Sequence, residues 1–318
     1  MHRSYCVSLS IVVVVGWLFV APLVAPAQEA PAATGELAAS ENPLELIKDY
    51  KGEKIEFNLD IAAFKLYDAP GAKIEVYYDI PNTGLVFKEV ASGELATTLM
   101  IAVKILDKDG KVVKEAANRG STRVKNEKEA KDPALSSKFA SSFNLDPGTY
   151  VFKVGVKDNL SGKIGVQEKE FEVKSPAKDE LGISSVEFAK EVQKAKEGED
   201  SGFLKESLNM LVTPHPSRTY HLGDTLSVYF NIYNLKVDNA QKPRFKITYK
   251  FKREGDRRIV RRIVEGERVE GANQSHLYSF ELTESNKFNV GNYTLFISVT
   301  DELAEKAVET KEPFKIVK

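Results

Sequence analysis

Few side chains in this 318-residue sequence are suited to covalent or metal chemistry. After residue 27 there is no cysteine, and the only histidines are His215, His221 and His276. Their spacing fits no metal-binding pattern, because a metal site needs three or four converging donors. His215 and His221 read as loop residues beside Pro214, Pro216 and Gly223. There is no Gly-x-Ser-x-Gly elbow, no His-Glu-x-x-His pair and no glycine-rich phosphate loop. Carboxylates are abundant but interspersed with lysines, so no acid/base pair stands out. Asp107-Lys108-Asp109-Gly110 begins like a calcium loop but lacks the further alternating ligand and the distal glutamate, and reads as a hairpin turn. The expectation is a protein without catalytic residues, cofactor or metal. A hydrolase with a dispersed carboxylate site is the catalytic alternative.

Binding chemistry is better represented. Six of the eleven arginines lie between Lys250 and Arg268: Arg253, Arg257, Arg258, Arg261, Arg262 and Arg268. Phe245, Ile247, Tyr249 and Phe251 alternate into this stretch, Gly255-Asp256 turns it, and Ile259, Val260, Ile263 and Val264 continue it. The pattern predicts a long basic hairpin. It reads either as an exposed ribbon whose charges block edge-to-edge pairing, or as a docking surface for an acidic glycan, lipid headgroup or acidic protein. Glu265, Glu267 and Glu270 dilute the local charge, and 45 basic against 46 acidic residues give a formal charge of -1. No nucleic-acid partner is therefore expected. Tyr77 and Tyr229 alternate outward from their strands, as sheet-surface tyrosines or as an aromatic platform for a sugar. Asp158 and Asp301 follow strands at the start of turns, which their carboxylates can close by bonding their own backbone. A shared cation or ligand site is the alternative.

The elements that position these residues are strands. Ile55, Phe57, Leu59 and Ile61 alternate with polar residues, as do Ile74, Val76, Tyr78 and Ile80, and Leu99, Ile101, Val103 and Ile105. The polar stretch 118–131 reads as a long surface loop. Val186 to Lys196 fits either a short helix or an edge strand entering a charged loop.

The second half repeats the first. At an offset of 143, Leu145, Gly148, Tyr150, Val156, Asp158 and Phe171 fall on Phe288, Gly291, Tyr293, Val299, Asp301 and Phe314. Further upstream, at an offset of 152, Gly71 and the run Val76 to Ile80 fall on Gly223 and Val228 to Ile232. The first copy thus holds nine extra residues, for which 118–131 is the natural place. A Gly turn feeding Tyr150 or Tyr293 into a late strand has the pattern of a tyrosine corner. The expected fold is all-β: two tandem immunoglobulin-like or fibronectin-III-like antiparallel β-sandwiches, 48–175 and 181–318, joined by a linker at 176–180.

Residues 1–27 read as a signal peptide, with Arg3, an apolar run from Ile11 to Val20, and Ala25-Pro26-Ala27 before the cleavage point. An uncleaved anchor is the alternative, since Val7 to Ala27 is long enough to span a bilayer. Cleavage removes the only cysteine, Cys6, and the only tryptophan, Trp17. No membrane span then remains. Residues 28–47, rich in Ala, Pro and Glu, read as a flexible leader. An exported chain without disulfides suits a bacterial periplasm or cell surface.

Val212-Thr-Pro214-His-Pro216-Ser-Arg218-Thr-Tyr220, Leu226 to Leu235, Leu145-Asp-Pro-Gly148-Thr-Tyr150 and Asp158-Asn-Leu-Ser-Gly162-Lys-Ile-Gly165 together resemble the β-rich region of bacterial exported proteins named for a GWxTD motif. The resemblance runs through most of 48–318 in short degenerate stretches. The motif itself is absent, so the resemblance implies architecture and bacterial export and carries over no active site. The functional expectation is a non-catalytic envelope binding or scaffold protein. Its partner would be a protein, an envelope polysaccharide or an anionic surface.

Overall fold

The computed structural model describes residues 42–46, 48, 50–66, 71–174, 179–196, 198, 201–257, 259–266 and 269–318. The signal-peptide reading, most of the leader and most of the linker fall outside these residues. Of these described residues 59% lie in strands and 5% in helices, a β-sandwich-like architecture.

The first half contains β1 (Asn58–Lys65), β2 (Ala72–Pro81), β3 (Lys88–Glu89), β4 (Leu95–Asp107), β5 (Val112–Val124), β6 (Ser136–Leu145), β7 (Gly148–Asp158) and β8 (Ile164–Val173). The second contains β9 (Gly182–Ile183), β10 (Glu187–Lys194), β11 (Leu204–Lys205), β12 (Met210–Pro214), β13 (Thr219–His221), β14 (Thr225–Tyr233), β15 (Phe245–Arg253), β16 (Ile259–Glu265), β17 (Gln274–Glu281), β18 (Gly291–Asp301) and β19 (Lys306–Val317). Two single-turn helices, α1 (Pro43–Leu46) and α2 (Glu127–Ala130), complete the elements used below.

These strands form four sheets. β1-β2-β6 is one; β3-β4-β7-β8, with β5 also paired to β4, is the second. β11-β12-β10-β14-β17, with β9 on β14, is the third, and β13-β19-β18-β15-β16 the fourth. All these ladders are antiparallel except β13 on β19. One hydrophobic core lies between the first two sheets and draws only on residues from Ile55 to Val173. Another lies between the last two and draws only on residues from Leu181 to Ile316. Period-two alternation is what fills them. Ile74, Val76, Tyr78 and Ile80 of β2 enter the first, and Leu226, Val228, Phe230 and Ile232 of β14 the second.

The opposite faces of β2 and β14 are buried too. Ala62, Phe64 and Tyr77 pack with Ala189, Val212 and Tyr229 in a third apolar cluster that joins the two halves. Alternation alone predicts half-buried strands. Here the outward face of each sheet is covered by the other, so β2 and β14 are buried along nearly their whole length.

Four local readings change. The stretch 118–131 is not a loop: β5 pairs with β4 without interruption from Lys114 to Val124, and α2 follows. Nor does it hold all the extra residues. Ile105 pairs with Phe152 and Phe251 with Leu295, an offset of 146 against 152 at Tyr77 and Tyr229, so the insertion begins between β2 and β4. Val186 to Lys196 contains neither a helix nor an edge strand. β10 runs between β12 and β14, with a register shift between Ala189 and Glu191. The end of the leader is docked: Pro43 and Leu44 of α1 cover Gly155, where an added Cβ would meet Pro43 Cγ at 3.0 Å. Glu45 also pairs with Lys104 at 3.1 Å.

The tyrosine geometry matches its pattern. Tyr150 Oη donates to the Asp146 carbonyl at 3.1 Å, and Tyr293 Oη to the Asn289 carbonyl at 2.9 Å. Each ties a strand start to the turn before it, as the shared Gly148 and Gly291 motifs require.

A histidine packs beside the aromatic rings of the second core. His276 on β17 lies 5.3 Å from the Phe230 ring and stacks at 5° to Tyr278, and its Nε2 is buried without a partner. Burial pushes its pKa down to about 4, from an ordinary 6.5. The unfolded chain therefore takes up a proton that the folded chain refuses, and stability falls as pH drops from 6.5 towards 4. His276→Phe is expected to flatten that part of the profile by about 2 kcal/mol, less than the full linkage because solvent reaches part of the ring. Urea midpoints of both proteins at pH 4.5 and 7 measure the difference.

Candidate functional site

Two places gather the polar chemistry of the molecule: the β15–β16 hairpin and the junction between the halves. In the hairpin, Gly255 takes φ 75° and Asp256 N–H closes the turn on the Arg253 carbonyl at 3.2 Å. β16 is the edge strand of its sheet. The arginines do not form one stripe. Arg257 is exposed at the turn, and Arg253 lies against Gly291. Arg261 pairs with Lys250 and Arg262 with Tyr249, so Arg262 shares the face of a buried core tyrosine. Arg258 and Arg268 lie outside the described residues.

The outer face of this sheet has a composition the arginine count did not reveal. Directly opposed residues of antiparallel strands share a face. Ile259 therefore stands beside Lys252, Ile263 beside Thr248, and Phe296 between Lys250 and Lys311. Ile259 and Ile263 are 50% and 54% exposed, and Lys252 and Lys311 are exposed as well. Lys250 pairs with Glu309 at 3.4 Å. The result is an apolar and cationic surface ending at an edge strand.

Tyr77 and Tyr229 are not an exposed platform. They do point away from the cores of their own sheets, but the two sheets meet, leaving them 2% and 5% exposed. Between them sits Lys205, from the two-residue strand β11. Its ammonium lies 4.9 Å from the Tyr229 ring centre, 5.1 Å from Phe64 and 5.7 Å from Tyr77. It pairs with Glu187 at 2.6 Å and Glu75 at 2.8 Å. Tyr77 Oη lies 2.8 Å from Glu187 Oε2 and 2.5 Å from Glu75 Oε2. Lys73 approaches the other Glu75 oxygen at 2.9 Å.

One ammonium thus serves two buried carboxylates. Burial works against the charge on Lys205, but Glu187 and Glu75 outweigh it and hold the pKa above the ordinary lysine value. Burial also raises Glu75, yet Lys205, Tyr77 and Lys73 leave it below the ordinary carboxylate value. Glu187 receives the smaller share. Burial, together with the negative charge of Glu75, pushes it up to about 7 despite Lys205. Its Oε1 is buried with no hydrogen-bond partner.

A second polar tie joins the halves. Arg218 donates through Nε to Asp60 at 2.8 Å and through Nη1 to Glu312 at 2.6 Å, with its guanidinium 4.7 Å from the Phe188 ring centre. Lys169 adds a bond to Asp60 at 2.9 Å. Backbone bonds reinforce it: Ser185 N–H to the Ala63 carbonyl at 3.1 Å, and Lys65 N–H to Tyr233 Oη at 2.9 Å.

Asp158 and Asp301 are fully buried and surrounded by donors. Asp158 accepts from Val86 N–H, Leu160 N–H, Thr97 Oγ1 and Ser161 Oγ. Asp301 accepts from Lys236, Leu303 and Ala304 N–H groups. Each closes its own turn and pins a loop that follows β2 or β14. A ring of donors is the setting of a structural cap, whereas a cation needs acceptors. Among the described residues no three His, Cys, Asp or Glu side chains are placed to hold a metal. His215 is tied to the Thr219 carbonyl at 2.7 Å, and His221 lies 3.7 Å from Asp224. A pocket of about 300 Å³ beside Asp301 is lined by Leu181, Asn234, Lys236, Ala272 and Lys306.

Sequence reasoning missed Lys205, Glu187 and Glu75. The one available signal was Glu75, two residues from Tyr77 and so on the same strand face. Nothing in the sequence around Lys205 connects it to either.

No family model matches the chain, and no curated protein matches it. Among solved structures, a red sea bream transglutaminase aligns with 86% of this chain and 33% of its own, at 12% identity and a TM-score of 0.23. A DUF4785 family protein from Legionella pneumophila aligns with 81% of this chain and 56% of its own, at 11% identity and a TM-score of 0.23. The chain thus spans about a third of the first and just over half of the second.

Proposed function

We propose that this chain is a non-catalytic binding or scaffold protein of the bacterial envelope. It is built from two tandem immunoglobulin-like sandwiches, 48–175 and 181–318, and holds an acidic protein partner on the outer face and free edge of the β15–β16 sheet. The observation that carries the reading is the exposed pair Ile259 and Ile263 on an edge strand, flanked by Lys250, Lys252 and Lys311. An open strand edge offers backbone hydrogen bonds, exposed apolar side chains supply area, and surrounding cations select for negative charge. The export reading of 1–27 and the resemblance to the β-rich region of GWxTD proteins support the compartment. The absence of the GWxTD motif leaves the site to this chain's own residues.

The test is photo-crosslinking from position 263 in intact cells, with and without Lys250→Glu/Lys252→Glu. A protein adduct that the double charge reversal lowers by about tenfold is the expected result, equivalent to roughly 1.4 kcal/mol of binding. An adduct unaffected by the reversal overturns the site. Label recovered on polysaccharide or lipid instead transfers the reading to an anionic-surface module.

A further inference from the structure

We propose that Lys205 and Glu187 are joined by a covalent side-chain amide, formed within the folded chain with loss of one water. The amine and the carboxyl are already at hydrogen-bond distance, 2.6 Å, and both are sealed from solvent. The groups that such a condensation requires surround them. Glu75 lies 2.8 Å from Lys205 Nζ, close enough to take a proton from the ammonium as the nitrogen attacks. Tyr77 Oη lies 2.8 Å from Glu187 Oε2 and can polarise that oxygen as a carbonyl. The rings of Phe64, Tyr77 and Tyr229 close over the amine and exclude water.

The step balances without any further reagent. Glu75 takes one proton from Lys205, which frees the nitrogen lone pair. The nitrogen attacks Cδ of Glu187 in its protonated form, the form that burial favours at this position. The C–N bond forms, a second nitrogen proton passes to the Oε1 hydroxyl, the C–Oε1 bond breaks and water leaves. Glu75 returns to solvent the proton equivalent that Glu187 had taken up. Ammonium and carboxylate have become amide and water, and nothing is oxidised or reduced.

The product accounts for the feature the ion pair leaves unexplained. Glu187 Oε1 is buried without a partner, a costly state for a carboxylate oxygen. In the amide, that oxygen is gone. The remaining carbonyl accepts from Tyr77, the single N–H donates to Glu75, and the buried charge on Lys205 disappears. The bond would lock β11 to β10 at the junction of the halves.

The test is a tryptic map of the purified full chain under denaturing conditions. The expected result is a branched peptide joining 179–190 to 197–218, uncleaved at Lys205 and lighter than the two components by one water. Lys205→Arg and Glu75→Gln should each give separate peptides and the unreduced mass, the first for want of a primary amine and the second for want of the proton acceptor. Wild-type protein that cleaves at Lys205 and yields separate peptides of full mass overturns the proposal, whether or not the variants fold. So does a water-loss product mapped to any other pair.

Discussion

Relative to the chain in which Lys205 and Glu187 are still an ion pair, Lys205→Met is expected to destabilise the protein by about 3–5 kcal/mol, the range for removing one partner from a buried ion pair. The cost does not come from lost volume, since methionine fills much of the same space between Phe64, Tyr77 and Tyr229. It comes from leaving Glu75 and Glu187 buried side by side with no ammonium between them. Both carboxyls would then hold protons more tightly folded than unfolded. The sign follows from linkage: a carboxyl whose folded pKa is raised contributes fully below its unfolded pKa and loses that contribution as pH rises through the folded value. As a free carboxyl beside Lys205, before any condensation, Glu187 already behaves this way, raised from its ordinary 4.5 to about 7. The deficit of Lys205→Met should therefore be smallest near pH 4.5 and grow above pH 7. Urea denaturation at the two pH values measures it, and a deficit independent of pH would mean that packing, not charge, dominates. Adding Glu75→Gln and Glu187→Gln to Lys205→Met should recover part of the loss.

The second large effect is expected at the equivalent aspartates. Asp301→Ala leaves the N–H groups of Lys236, Leu303 and Ala304 without their acceptor. Asp158→Ala does the same to Val86 and Leu160 N–H and strips the hydroxyls of Thr97 and Ser161. An orphaned buried donor costs about 1–3 kcal/mol, so each substitution should cost roughly 3 kcal/mol once part of the loop relaxes into water. Asn at either position keeps one acceptor oxygen and should lose about half as much. The same experiment distinguishes a turn cap from a cation site. Thermal midpoints of the wild type should be equal in millimolar calcium and in EDTA. A rise with calcium that disappears in Asp158→Ala or Asp301→Ala would place a cation at these turns.

The contrast between these two sites shows where sequence reasoning stops. Asp158 and Asp301 were legible because an Asx turn is local: the turn-closing donors of Leu160, Ser161, Leu303 and Ala304 lie within three residues of the carboxylate, and the repeat shows both copies keeping the pair, whereas the bonds from Val86, Thr97 and Lys236 come from distant strands and loops. Tyr150 and Tyr293 were legible for the same reason, each bonding a carbonyl four residues back. The polar stretch 118–124 misled because composition was read without its partner. Asn118 to Val124 is a strand because β4 supplies a ladder for it, whatever its side chains. β10 escaped assignment because a three-residue pairing to β14 on one side and a shifted pairing to β12 on the other are properties of its neighbours.

What the amino-acid sequence determined by itself is therefore the all-β class, the alternation that fills the two cores, the hairpin turns at Gly110 and Gly255, and the capped turns. Each depends on residues within a few positions of one another or on a period-two pattern. Alternation tells which side chains share a face of a strand and is silent about what will cover that face. Tyr77 and Tyr229 point outward as expected. Only the tertiary structure places one outward face on the other, converts two surface tyrosines into the walls around Lys205, and brings Glu75 within 2.8 Å of a lysine 130 residues away. The outer face of β15–β16 was left open in the same way. Its lysines and isoleucines come from strands that the sequence separates and the register joins.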